Sequence, residues 1–438
     1  MLKQSDVYWR GYAFLDPSFR TFRYHDTFYK AQLPTAHKWT QGSGCTLLLQ
    51  QLAQEGFIPE TSPSSIQVEG FNTIFHQHTE FFNVPLSHCA APTIKEAALL
   101  FLNMNKWLHK KNMGTCDGHS LNFVLQGPSN PRWCDIGSFA VLESPNQING
   151  FDEFIQFFLY PLLLRQKSPF LDALMRHSLQ NGISHEVATE LHILDQNISL
   201  PASRIGILDA LLELIQGISF PWKESLWSDY HSSMLNESDV NNTTISPHSP
   251  NRPQFIARIL KMLKPATVVD LGANAGVFSR MAAQTGAEVL AIEPDETAVA
   301  RHHQYLREYN VDARIKLQVG TVDTPFKQQG ELVLALALTH HLFFTHHHPW
   351  KLIVRCFADF SSKHLLTEFM PNGLCGLKKL ENPPPTYRLE LFVEQLERYW
   401  EHVEILERPV PEGAANRILL LCTNKRAVPV DDGKNLLP

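Results

Sequence analysis

The sequence is poor in several features that would otherwise decide its class. Charged residues make up only 19% of the 438, below the roughly 25% of ordinary soluble chains, which excludes a charge-driven disordered chain. No apolar stretch approaches the roughly 20 residues that span a bilayer. Residues 157–164 are interrupted by Tyr160 and Pro161, and residues 332–338 number only seven. The opening MLKQSDVYWRGYAF contains no apolar core of a secretory leader. The seven cysteines, at 45, 89, 116, 134, 356, 375 and 422, form no CxxC pair. They read as reduced thiols, not as a disulfide frame or a zinc site. Basic residues are outnumbered, 38 against 44, for a net charge of −6, so general binding to a phosphate backbone is disfavoured. The expectation is a soluble, cytoplasmic protein without a membrane span.

What is present fits two folded parts. Hydrophobic residues reach 44%, and the length suits two or three domains. The one composition break is residues 228–253, SDYHSSMLNESDVNNTTISPHSPNRP, too rich in Ser, Asn, Thr and Pro to bury a core. This predicts an N-terminal domain over 1–227, a linker over 228–253, a second domain over 254–424 and a tail over 425–438.

The second domain alternates strand and helix signals. Short apolar, β-branched runs occur at 267–271, 288–292, 315–319, 331–338 and 365–369, and two more at 403–407 and 417–423. Helical spacing falls at 277–284, 295–309 and 389–400. Such alternation predicts a doubly wound, mostly parallel α/β sheet, with the two late strands as an edge hairpin.

The first of these strands runs into Asp270-Leu271-Gly272-Ala273-Asn274-Ala275-Gly276, a strand, a glycine turn and a helix start. Ligands bind at this place in open α/β sheets. Glu293 ends the next strand and suits ribose hydroxyls. A dinucleotide fold would want GxGxxG, whereas here Asn274 replaces the middle glycine and Asp270 would repel a pyrophosphate. DLGANAGVFS followed by AIEPD resembles motifs I and II of class I S-adenosylmethionine-dependent methyltransferases. The resemblance implies S-adenosylmethionine as cofactor. Asp270, Gly272, Asn274 and Gly276 would line its methionine and ribose, Glu293 would hold the ribose hydroxyls, and Asp323 would sit near the adenine, with Thr321 as the alternative.

The resemblance also places acceptor-side residues after the fourth strand, at Leu338-Thr339-His340-His341-Leu342. A neutral His there could take a proton as the methyl moves, His341 ahead of His340, or could simply pack in the core. Glu368, ending the fifth strand, would orient substrate or serve structurally. His346, His347 and His348 are consecutive and cannot converge on one ion, so no metal is expected. The (D/N)PPY signature for planar amino groups is absent, which disfavours nucleic acid, and the resemblance implies an O or N nucleophile on a small molecule or glycan.

In the first domain, Asp117-Gly118-His119-Ser120-Leu121-Asn122 precedes Asp135-Ile136-Gly137. This spacing resembles the catalytic core of the protein-kinase and aminoglycoside-phosphotransferase-like superfamily. The resemblance implies an α+β kinase-like domain in which Asp117 is the base and Asn122 and Asp135 hold Mg²⁺. The helix 94–110 fits the long helix before such a loop, and a helical run over 151–197 would complete the lobe. Residues 66–79 read as a strand pair. Gly42-Ser43-Gly44 is misplaced for a phosphate loop, and Lys30 with Glu55 is the best strand-lysine pair. The site is either a live nucleotide site or a remnant in a degenerate scaffold. The whole layout resembles bacterial methyltransferases associated with nodulation. The acceptor and the oligomeric state are left open.

Overall fold

The computed structural model describes residues 1–9, 16, 18–25, 27–36, 38–40, 43–78, 80, 82–127, 130–144, 146–147, 150–193, 201–223, 252–309, 314–324, 326–375, 378, 380–406 and 417–429. The chain divides into two compact units, Met1–Lys223 and Glu224–Pro438. Most of the expected linker and most of the expected tail lie outside the described residues. Among those described, no helix is long and apolar enough to cross a membrane.

The first unit opens with strands β1 (Tyr8–Trp9), β2 (Phe19–Tyr24), β3 (Thr27–Gln32), β4 (Thr61–Pro63) and β5 (Ile74–Gln77). They form one antiparallel sheet in the order β1-β2-β3-β5-β4. Phe22, Ala31, Val68 and Ile74 make its core. The expected strand pair over 66–79 is only half present. Gly70 adopts φ +85°, which turns the chain, so β5 pairs with β4 and Val68 makes an isolated bridge to Leu2.

The helix Ala91–His109 follows, three residues earlier at its start than its periodicity predicts, with Ala97, Phe101, Leu102, Met104 and Leu108 on its buried face. Phe101 stacks on Phe154 at 5.1 Å and meets Trp133 at 5.2 Å. Two small antiparallel pairs then frame the Asp117 segment. These are β6 (Met113–Thr115) with β9 (Phe139–Val141), and β7 (Phe123–Gln126) with β8 (Asn130–Trp133). The predicted helical run comes as separate helices, among them Tyr160–Lys167, Asp172–Asn181 and His185–Glu190.

The second unit is a seven-stranded sheet of β10 (Thr267–Leu271), β11 (Glu288–Glu293), β12 (Ile315–Val319), β13 (Gly330–Ala335), β14 (Ser361–Phe369), β15 (Trp400–Leu406) and β16 (Ile418–Lys425). Its order is β12-β11-β10-β13-β14-β16-β15. The first five strands are parallel, and β16 runs antiparallel to both β14 and β15. The sheet is therefore mixed at one edge, as the late hairpin predicts. All five residues of β10 and all five of β12 are buried, as expected of strands covered on both faces. The boundaries depart furthest from the sequence reading at the following places. β13 stops at Ala335 because Ala337 turns to φ +55° and Leu338 begins a helix. β14 starts at Ser361, and the late helix ends at Glu397, so that Trp400 opens a strand.

Candidate active site

The carboxyl ends of β10 and β11 lie side by side, with Asp270 paired in register with Ala291. Asp270 is buried and accepts a hydrogen bond from the Ser279 hydroxyl at 2.6 Å. Ser279 sits in the first turn of the helix Val277–Gln284, so it fixes the carboxylate from below. The sequence reading missed this residue, although its place three positions after Gly276 is the available signal.

The turn itself explains why Asn can stand between two glycines. Gly272, Asn274 and Gly276 all have positive φ, at +70°, +49° and +77°. Asn is the side chain that best tolerates this region after Gly, and its Oδ1 accepts the Ala275 N–H at 2.8 Å. Gly276 has no such latitude. A Cβ there would lie 1.8 Å from the His302 ring.

The amides of this turn are already engaged. The Gly272 and Ala273 N–H groups donate to the Ile292 carbonyl at 2.9 and 3.1 Å, and the Asn274 N–H donates to Glu293 Oε2 at 2.8 Å. The loop thus offers no open amide cradle at these three positions for a pyrophosphate. It presents two buried carboxylates instead. Glu293 is also held by the Asp295 N–H, at 2.9 Å. Burial pushes its pKa up to about 7 against the pull of those two amides, and the negative charges of Asp295 and Asp270 add to the rise. These acceptors suit a cationic ligand with vicinal hydroxyls, and Gly272 leaves room for close approach.

The end of β13 adjoins the same turn. A Cβ on Gly272 would lie 3.3 Å from Leu338 Cδ1. From here the short helix Thr339–Phe344 carries both candidate histidines. His340 is buried, and burial, with the positive charge of His341 and Arg417, pulls its pKa down to about 3. It is neutral at any physiological pH. His341 is half-buried, its pKa lowered by burial and by His346, and its ring lies 4.0 Å from that of His340. Only His341 of the two retains appreciable exposure.

Glu368 is fully buried. Its Oε2 accepts the Ala337 N–H at 2.8 Å and pairs with Arg417 at 3.0 Å. Arg417 has no counterpart in the sequence reading. Asp323 is exposed and accepts from the Thr321 hydroxyl, which lowers its pKa, as do His348 and His346 nearby. The two adenine-side alternatives are therefore one hydrogen-bonded pair. Among the described residues no cluster of His, Cys, Asp or Glu has the geometry of a metal site.

The first unit gathers a second set of groups. Asp117 accepts the His119 N–H at 2.7 Å and the Asn122 amide at 2.9 Å, so the two residues five apart do meet. Glu153, absent from the sequence reading, accepts the Gly118 N–H at 2.9 Å, and burial with the nearby Asp117 raises its pKa. Gly118 is obligatory, since a Cβ would lie 2.1 Å from the Gly150 carbonyl oxygen. Burial pushes the pKa of Asp135 up to about 7. Lys30 pulls it down, and Asp16 and Asp117 push it further up. Lys30 is 7% exposed on β3 and makes no hydrogen bond or ion pair among the described residues. Glu55, its expected partner, is exposed just past the helix Ser43–Gln54 and does not pair with it. Gly42 lies outside the described residues.

Comparison with known proteins adds the following. Residues 269–358 match a methyltransferase domain. The chain is 25% identical over 416 residues to nodulation protein NoeA of Rhizobium meliloti strain 1021, covering 82% of this chain and 84% of that protein. Among solved structures it is similar to the bifunctional kinase-methyltransferase WbdD, at 16% identity over 44% of this chain and 43% of that one, with a TM-score of 0.33. It is also similar to the N-methyltransferase NodS from Bradyrhizobium japonicum WM9, at 13% identity over 44% of this chain and 98% of that one, with a TM-score of 0.32. The matched domain begins inside β10 and takes in the glycine turn, Glu293 and both histidines. The chain carries a methyltransferase domain and is an S-adenosylmethionine-dependent methyltransferase.

Proposed function

We propose that the second unit transfers a methyl group to an O or N nucleophile of a small molecule or glycan. The observation that carries this is the pair of buried carboxylates, Asp270 and Glu293, fixed around a turn whose amides at 272–274 are already spent. When bound, S-adenosylmethionine supplies an electrophilic methyl on a sulfonium. Asp270, with Gly272, Asn274 and Gly276, would bind the methionine and ribose portion. Glu293 would accept from the ribose hydroxyls, and Asp323 with Thr321 would meet the adenine. His341, being neutral and partly exposed, would take the acceptor's proton, while buried His340 packs beneath it. Most of the rate would come from alignment of acceptor and methyl. Calorimetry tests the binding half. Micromolar to low-millimolar affinity for S-adenosylmethionine is expected, weakened at least about tenfold by Asp270→Ala or Glu293→Ala. Absence of binding in the wild type overturns the reading. Label from the radioactive methyl donor should pass to a saccharide or small-molecule fraction and not to nucleic acid.

One observation favours a second activity in the first unit. Lys30 is buried, makes no ion pair among the described residues, and lies within electrostatic reach of Asp135. A kinase-like reading makes Lys30 a phosphate contact, Asn122 and Asp135 the Mg²⁺ holders and Asp117 the base. Mg²⁺-dependent ATP binding that is lost in Asp135→Ala supports this reading. Equal ATP binding with and without Mg²⁺, or none, leaves the unit a scaffold.

A further inference from the structure

β13 ends in a turn that an alanine does not favour. Ala337 sits at φ +55°, in the region that suits glycine. Something outside the turn must hold it there. The Ala337 N–H donates to Glu368 Oε2 at 2.8 Å, and two residues on, the buried Thr339 hydroxyl donates to the Glu368 carbonyl oxygen at 2.5 Å. Both contacts come from one residue at the end of β14. The same Oε2 meets Arg417, which stands immediately before β16, at 3.0 Å. Register agrees with this, since Glu368 lies opposite Leu419 across the β14–β16 ladder. Arg417 thus reaches back along the sheet to a carboxylate that no solvent touches.

We infer that Glu368 and Arg417 form a positioning pair that fixes the 336–341 turn, and through it the placement of His341 on the short helix that follows Leu338, the residue against Gly272. This rests on the methyltransferase reading of that site. Glu368 is too deeply buried to meet an acceptor, so its part is to shape the wall. A buried carboxylate with two donors on one oxygen is stiff. Removing its charge weakens the Arg417 contact and leaves the alanine turn held by a weaker acceptor.

The test uses the full chain with S-adenosylmethionine carrying a ¹³C label on its methyl group. In Glu368→Gln the affinity for this ligand should stay within about twofold of wild type, because the glycine turn and Glu293 are untouched, while alignment at the methyl is lost. The NMR signal of the bound methyl should move or broaden, and the titration of the His341 ring should shift. Arg417→Lys keeps a cation for Glu368 and should hold both signals near wild type. Unchanged signals in a folded Glu368→Gln protein overturn the inference, as does loss of ligand binding in that variant, which would put Glu368 in the cofactor site. Should Glu368→Gln not fold, Arg417→Met removes the same pair from its other side. Wild-type signals in a folded Arg417→Met protein overturn the inference equally. A wild type that gives no bound-methyl signal at all fails the cofactor reading and says nothing of Glu368.

Discussion

Glu293 and Asp135 invite comparison. Each is a carboxylic acid pushed by burial to a pKa of about 7, one in each unit. Glu293 is wired to the backbone by two amides contributed by residues within its own neighbourhood, Asn274 and Asp295. Asp135 is bound by the Gly137 amide at 3.2 Å, but its charge is set by side chains from other segments, Lys30, Asp16 and Asp117. A site built from backbone is preformed whatever its side chains do. A site built from converging side chains waits on a ligand or counterion to settle its charge.

Three experiments press on this contrast. The largest effect should come from Gly276→Ala. With φ at +77° and the His302 ring in the way, the cost should be about 3–5 kcal/mol, seen as loss of the second unit's unfolding transition or a steep fall in its midpoint. A cost below about 1 kcal/mol would mean the backbone site is far more pliable than its geometry indicates.

The next effect is on pH dependence. The Glu293 pKa rises from 4.5 to about 7 on folding, so the folded state binds the proton more tightly than the unfolded one. The stability this contributes is present in full below pH 4.5 and is lost as pH rises through about 7, amounting to about 3 kcal/mol at most. Buried His340, with its lowered pKa, acts in the opposite sense in both proteins, so the Glu293 contribution is read as a difference: in denaturant melts between pH 5 and 8 the stability of wild type minus that of Glu293→Gln should fall as pH rises. A difference that stays constant with pH would sink the assignment.

The smallest effect is local to the first unit. Lys30→Met removes a cation that lowers the Asp135 pKa, so the carboxyl titration, followed by NMR, should move above about 7. No movement would mean that Lys30 does not face Asp135 in solution.

The same contrast explains what could be read in the sequence. Asp270, the glycine turn and Glu293 belong to two consecutive strands and the loop between them, so a local pattern contains the whole arrangement. The parallel strands were legible because their apolar runs are unbroken. Glu368 was legible as a strand end, but its partner Arg417 arrives from beyond a late helix and β15, and no spacing rule joins them. The end of β13 was misjudged for a related reason. Leu336, Ala337 and Leu338 continue the apolar run, and only a contact from β14 turns the chain at Ala337. In the first unit the Asp117–Asn122 spacing is local and was found. Glu153 meets this loop, and Asp16 the Asp135–Gly137 turn, from elsewhere in the chain, and neither gave a signal. Lys30 was singled out on β3, but with the wrong partner, since Glu55 is exposed.

The sheet order has a consequence for how the protein is made. β16 is later in sequence than β15 yet lies inside it, between β14 and β15. As the chain leaves the ribosome, β15 has no neighbour to dock on, and β14 presents an open edge until residues 418–425 emerge. Arg417 arrives with that strand, so its contact with Glu368 forms only then. Folding of the second unit should therefore complete late and in one step. A nascent chain halted after β15 should hold β14 as an exposed edge that recruits chaperones or other chains.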